Sequence, residues 1–202
     1  MYAIVAQLTY EPGQSAAGQA QLAEFVALRA QQPGYRGAIE LDTGDQQTLL
    51  LTCWESQAQH EAANVVLRAA AEQAIPLLLA APRQRLGAGA VVGNTIAPGA
   101  APAYARLAEV TYAPGQRDAG QAQVEEYVAL RAQQPGFRGS MGIDMGAERR
   151  LVLVCWASQA QFAAAQPVLG PAAARLLAPL FGAPARQLGD GAVVLDTLTT
   201  RA

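Results

Sequence analysis

The sequence predicts an α+β protein of two ferredoxin-like βαββαβ repeats whose antiparallel sheets pack face to face. Three observations carry this. The stretch ALRAQQPGYRG at 27–37 returns as ALRAQQPGFRG at 129–139. At that offset of 102 the two halves align without a gap, residues 4–97 against 106–199, with roughly half the positions identical. Within each half, short β-rich runs and Ala-rich helical stretches follow one another in the order β-α-β-β-α-β. The chain therefore divides into repeat 1 over residues 1–97, an exposed connector PGAAPA over 98–103, and repeat 2 over 104–202.

Each element has its own signal. AIVAQLTY (3–10) is a short β-branched and aromatic run stopped by Pro12-Gly13, so it reads as a strand. Residues 15–32 place Leu22, Phe25, Val26 and Arg29 on one helical face, and Pro33-Gly34 ends that helix. RGAIELD, a turn at Thr43-Gly44-Asp45 and TLLLTCW read as a β-hairpin. A second helix covers about 57–80, broken near Pro76 in repeat 1 and by Pro167, Pro171 and Pro179 in repeat 2. GAVVGNTI closes the unit as a fourth strand. LLLTCW does not alternate between apolar and polar residues, so both of its faces are expected to be buried. One face goes under the helices of its own repeat. The sheet of the other repeat is the natural cover for the second, which would make the chain a pseudo-dimer closed on itself.

Composition excludes several classes of partner. Of 202 residues, 51% are hydrophobic and 15% charged, the profile of a chain that folds around a core. The net charge of −2 lacks the basic stripe a nucleic-acid partner requires. The longest apolar run, IPLLLAAP, falls far short of the ~20 residues that span a bilayer. No basic segment precedes the first apolar run, so no secretory signal is read and a cytoplasmic protein is expected. Cys53 and Cys155 hold equivalent strand positions and are expected as buried free thiols. Gly87, Gly89, Gly189 and Gly191 precede a strand instead of opening a helix, so they do not form a phosphate loop.

Few residues carry chemistry. His60 is the sole histidine, and a general base working near neutral pH would fall to it. The blander reading is an exposed helix residue beside Glu61. No second histidine or carboxylate at ligand spacing completes a metal set. Trp54 and Trp156 suit core packing or a cavity wall equally well. Tyr10 and Tyr112 end the first strand of each repeat, where a phenol can face a cavity. Tyr35 and Phe137 are exchanged in the repeated phrase, so the hydroxyl is dispensable in at least one half.

QQPGYRG and QQPGFRG after the first helix, with CWES and CWAS at the end of the third strand, resemble the antibiotic biosynthesis monooxygenase domain of the dimeric α/β-barrel superfamily. The resemblance covers nearly the whole of both halves and implies an intramolecular dimeric α/β barrel. It also implies a small hydrophobic or aromatic partner held between sheet and helices, oxidised by molecular oxygen without a cofactor. In such enzymes a strand Trp works with an Asn four residues earlier and a Tyr six residues later. Trp54 and Trp156 match the Trp, whereas Leu50 and Val152 hold the Asn position and His60 and Phe162 the Tyr position. The haem-degrading branch uses a His about ten residues after the Trp; Asn64 and Gln166 stand there. The resemblance thus points to a monooxygenase with His60 and Trp54 as its catalytic pair. Trp156, Tyr10, Tyr112, Tyr35, Phe137, Leu50, Val152 and Phe162 would form substrate walls. A non-catalytic small-molecule binder and a stress-associated barrel stand as alternatives. With both sheets supplied by one chain, either a monomer or a homodimer is compatible with the sequence.

Overall fold

The computed structural model describes residues 1–74 and 79–200. Repeat 1 supplies β1 (Tyr2–Thr9), α1 (Ser15–Ala30), β2 (Tyr35–Gly44), β3 (Gln47–Trp54), α2 (Gln57–Ala74) and β4 (Gln84–Val92). Repeat 2 supplies β5 (Tyr104–Thr111), α3 (Gln116–Ala119), α4 (Gln121–Ala132), β6 (Phe137–Gly146), β7 (Arg149–Trp156), α5 (Gln159–Leu176) and β8 (Arg186–Asp196). The eight strands form one closed barrel in the order β1-β3-β2-β8-β5-β7-β6-β4, with the helices outside it.

Strand alternation sorts the side chains into two layers. Val5, Ile39, Leu41, Leu49, Leu51 and Cys53 point into the barrel, where they meet Leu107, Met141, Ile143, Leu151, Leu153 and Cys155 of repeat 2. Ile4, Leu8, Leu50 and Trp54 point the other way, under Leu22 and Val26 of α1. This is why β3 is buried along nearly its whole length, as its unalternating sequence requires.

The repeats meet around the barrel interior and are also bonded edge to edge. β2 pairs with β8 and β4 with β6, so every strand has two neighbours and no open edge remains in the barrel. Two equivalent clasps extend these seams. Thr197 N donates to the Ala38 carbonyl at 2.9 Å, and Ala38 N donates to Thr197 Oγ1 at 2.9 Å. Thr95 and Ser140 repeat the pattern at 2.8 and 2.9 Å. Gly37 (φ +136°) and Gly139 (φ +120°) let the opposite chain pass, since a Cβ would lie 2.5 Å from Leu198 Cα and 2.6 Å from Ile96 Cα respectively.

Three details differ from the sequence reading. The hairpin turn lies one residue later, at Asp45-Gln46 (φ +49° and +61°), with Ala147-Glu148 its counterpart. Two consecutive positive φ values are the geometry that matches strand twist in a two-residue turn, here built without glycine at either central position. The fourth strand runs earlier, over Gln84–Val92: it pairs with β1 from Gln84 onward, and it ends before Thr95 and Ile96, which leave the sheet to form the clasp. α5 runs unbroken through Pro167 and Pro171. Both prolines are exposed, while Ala165, Leu169, Ala172 and Leu176 bury the opposite face, so packing against the sheet offsets the backbone bonds they remove. Pro179 does follow the helix end, in a 3-10 turn over Ala178–Leu180. The break expected at Pro76 lies outside the described residues. Among those described, no helix is long and apolar enough to cross a membrane.

Candidate functional site

The outer layer of each repeat brings most of the candidate residues together. In repeat 1, Trp54 is fully buried with Tyr10, Tyr35 and Leu50 in one cluster beneath α1 and α2. The Tyr35 ring meets the indole edge-on at 5.2 Å and His60 does so at 5.6 Å. Tyr35 also carries a hydroxyl 3.3 Å from Thr197 Oγ1, which ties the cluster to the seam with repeat 2. His60 sits at the cluster's rim on the first turn of α2, half-buried, with its Nε2 2.8 Å from Asn64 Nδ2. Burial, reinforced by the Arg29 and Arg85 charges, pushes its imidazole down to about 4. A ring so placed is neutral at physiological pH and keeps a lone pair.

Glu40 is the site residue that the sequence reading missed. It is 1% exposed on β2, faces the helix layer beside Ala38, and accepts a hydrogen bond of 3.1 Å from the Thr48 hydroxyl. Burial, with Asp42 nearby, raises its carboxyl to about 7 against the opposing effect of the Thr48 bond. Tyr10 shares this environment: its buried hydroxyl has no partner among the described residues, and burial followed by the Glu40 and Asp42 charges holds the phenol protonated. The available signal was alternation. A lone Glu between Ile39 and Leu41 must point away from the barrel interior they fill.

Repeat 2 holds an open cavity of about 740 Å³ between the sheet and α4–α5, well within the size range of small-molecule sites. Trp156, Tyr112, Val152 and Phe162 all line it. Phe137 stands behind Trp156, edge-on at 5.6 Å, and Phe162 meets the same indole at 5.9 Å. The far wall is the segment after α5, where Phe181 packs edge-on against Tyr112 at 5.5 Å. Three arginines, Arg106, Arg131 and Arg150, reach the cavity surface from β5, α4 and β7. The repeat 1 counterpart of that far wall falls at residues 75–83, of which 75–78 lie outside the described residues. The indole nitrogens of Trp54 and Trp156 are both buried without a hydrogen-bond partner among the described residues.

The two repeats are therefore not chemically equivalent. Repeat 1 places an imidazole and the Tyr35 phenol against Trp54, and the buried Glu40 carboxyl near the Tyr10 phenol toward the hairpin end of the same sheet face. Repeat 2 replaces the carboxyl with Gly142 and the imidazole with Phe162, and it is the half in which the open cavity is described.

Comparison with known proteins agrees with this architecture. The family model of antibiotic biosynthesis monooxygenase matches residues 1–64, which include Trp54 and His60. An anthrone oxidase-like protein of known structure superposes with a TM-score of 0.68 at 14% identity, covering 99% of this chain and 94% of that one. A proposed monooxygenase from Lactobacillus acidophilus NCFM gives 0.71 at 11% identity, over 96% and 99% of the two chains. A heme-degrading enzyme from Listeria monocytogenes gives 0.54 at 9% identity, over 88% of each. At these identities the structures speak for the fold alone. No curated protein matches the sequence. Residues 1–64 thus match the antibiotic biosynthesis monooxygenase model, and the closed eight-stranded barrel has the fold of two such units in tandem.

Proposed function

We propose that the chain is a cofactor-independent monooxygenase acting on a small aromatic or polyketide-like molecule. The observation that carries this reading is the repeat 1 cluster in which His60 meets the buried Trp54 indole beside Tyr35. The equivalent cavity of repeat 2, walled by Trp156, Phe162, Tyr112 and Val152, has the size of a fused-ring compound. In the proposed reaction an anthrone-type CH₂ gives up two hydrogens and gains one atom of O₂, while the other oxygen atom leaves as water. The ring must first lose a proton; its anion then supplies the electrons. Apolar and aromatic walls orient the ring toward O₂ and slow reprotonation of the anion.

The proposed proton acceptor lies in repeat 1. His60 beside Trp54 is neutral, and Glu40 has a carboxyl whose pKa near 7 matches the working pH of a general base. We assign Trp54 and His60 the catalytic contacts of that unit, with Tyr10, Tyr35 and Leu50 as its walls, and Phe137 as the support of Trp156 in the other. A second reading, a binder without turnover, is favoured by one observation: with Phe162 and Gly142 where repeat 1 has His60 and Glu40, the described cavity is lined by no imidazole or carboxylate.

Oxygen uptake over a panel of anthrones and hydroquinones, with tryptophan fluorescence in the same samples, separates the two. Uptake above the uncatalysed rate that is lost in Trp54→Phe and His60→Ala is the expected result. Saturable quenching without uptake would replace the enzyme by the binder.

A further inference from the structure

We propose that the cavity of repeat 2 is a binding site for a small aromatic anion, a ring system bearing a carboxylate or sulfonate, held by Arg106, Arg131 and Arg150. The inference concerns what the cavity holds and stands whether or not oxygen is reduced there.

The charge around the cavity is one-sided. Three guanidinium groups line it, and no aspartate or glutamate does. None of the three forms an ion pair among the described residues; the carboxylates near them are bonded by other groups, Asp190, opposite Arg106 across β5 and β8, by Tyr104 and Gln187. Asp144, opposite Arg150 across β6 and β7, is paired with Arg117, and Glu109 is held by both Arg149 and Arg186. What the cavity arginines do contact is neutral. Arg106 donates to Gln187 Oε1 at 2.6 Å, Arg131 lies over the Tyr127 ring at 4.6 Å, and Arg150 donates to the Tyr112 hydroxyl at 3.3 Å. Arg150 Nε is buried with no partner. Three cations against apolar walls, with donors not taken up by carboxylates, can give an entering anion charge-assisted hydrogen bonds.

The duplication supplies an internal comparison. Arg106 answers Ile4, Arg150 answers Thr48, and Gly142 answers Glu40; only Arg131 has an arginine counterpart, Arg29. Each of the three exchanges moves the repeat 2 cavity one unit toward positive charge. Guanidinium groups suit this ligand class, since each presents parallel N–H donors to a carboxylate while the aromatic walls stack the rings.

The test uses 9-anthracenecarboxylate and its uncharged analogue 9-anthracenemethanol, titrated calorimetrically against the whole chain. The carboxylate is expected to bind saturably, one per chain, roughly tenfold or more tighter than the alcohol, as one charge-assisted hydrogen bond predicts. The exchange Arg106→Ile with Arg150→Thr, which installs the residues of repeat 1, is expected to erase that preference and leave the alcohol's affinity unchanged. On the unaltered protein, rising salt should weaken the carboxylate alone, a readout that does not depend on the variant folding. Equal affinities in the native chain, a preference insensitive to salt, or a preference that survives in a folded double variant would each overturn the proposal. Neither probe carries an oxidisable phenol, so binding is read without turnover; no oxygen uptake over the anthrone and hydroquinone panel together with intact carboxylate selectivity would sink the oxygenase and spare this site.

Discussion

Gly191 of β8 packs so tightly on Asp42 of β2 that a Cβ added to it would overlap the Asp42 carbonyl oxygen. Gly89 stands in the same relation to Asp144, on the other seam between the repeats. Neither glycine is there for a left-handed φ; each is there because two backbones approach where the repeats are joined.

Gly191→Ala is accordingly expected to loosen the β2·β8 seam and to cost about 3 kcal/mol, the upper end for overpacking, because the obstacle is backbone and cannot swing aside. Urea unfolding of the native chain and the variant measures it. A variant as stable as the parent would mean that the seam does not hold the barrel shut.

Glu40 and His60 tilt stability in opposite directions with pH. Between pH 4.5 and about 7 the folded chain keeps a proton on Glu40 that the unfolded chain releases, so this group makes stability fall as pH rises through that window. His60 is lowered from 6.5 to about 4, so the unfolded chain gains a proton there that the folded chain refuses, and stability falls as pH drops. Glu40→Gln should therefore raise stability at about pH 7.5 relative to about pH 5, and His60→Gln should do the reverse. Denaturation midpoints at the two pH values decide it; the same tilt in both variants would contradict the assignments.

Cys53 and Cys155 face the barrel interior, where burial pushes both thiols up to about 12. A thiol that is neither ionised nor reachable does not attack disulfide reagents. The native chain should be inert to an aromatic disulfide reagent, and both free thiols should react at once in denaturant. Fast modification of the folded chain would place at least one of them outside the core.

These relationships show what the sequence can and cannot carry. The repeat, the strand runs and the opposite facing of Cys53 and Trp54 were legible, because covalent order and side-chain alternation alone decide them. The edge-to-edge seams were not: Gly89 and Gly191 look like loose loop residues until the opposite strand is in place. Glu40 was legible in principle, since Ile39 and Leu41 fix its direction, but its pKa depends on burial that only the folded helices supply. The cavity arginines were hidden differently. Arg106 and Arg150 lie in strands that also carry Arg149 and Glu109, and only the fold tells which cations are already paired. The location of the described cavity in repeat 2 depends on α5 and the segment that follows it, and no local motif reports how those pack.

Each repeat carries every part that closes the barrel, which yields a last prediction. Thr95 and Thr197 provide the clasps, Gly37 and Gly139 let the clasps pass, and Gly89 and Gly191 admit the partner strand. The interior is likewise matched: Leu49 and Leu51 of repeat 1 stand opposite Leu151 and Leu153 in the same core. A single repeat, cut in the 98–103 connector, cannot fold alone with that face in water, because half of its sheet burial belongs to the other repeat. It can use a second copy of itself, since β2 of one copy can take β4 of another as β2 takes β8 here. Residues 1–100 expressed alone are therefore expected as a homodimer close to the 21.0 kDa of the intact chain, by light scattering after size exclusion. Mixing the fragment with residues 101–202 should yield a heterodimer of similar mass that recovers the intact chain's thermal transition. A folded monomer of either fragment would show that the core can be covered from within one repeat, and that the tandem arrangement is not what closes it.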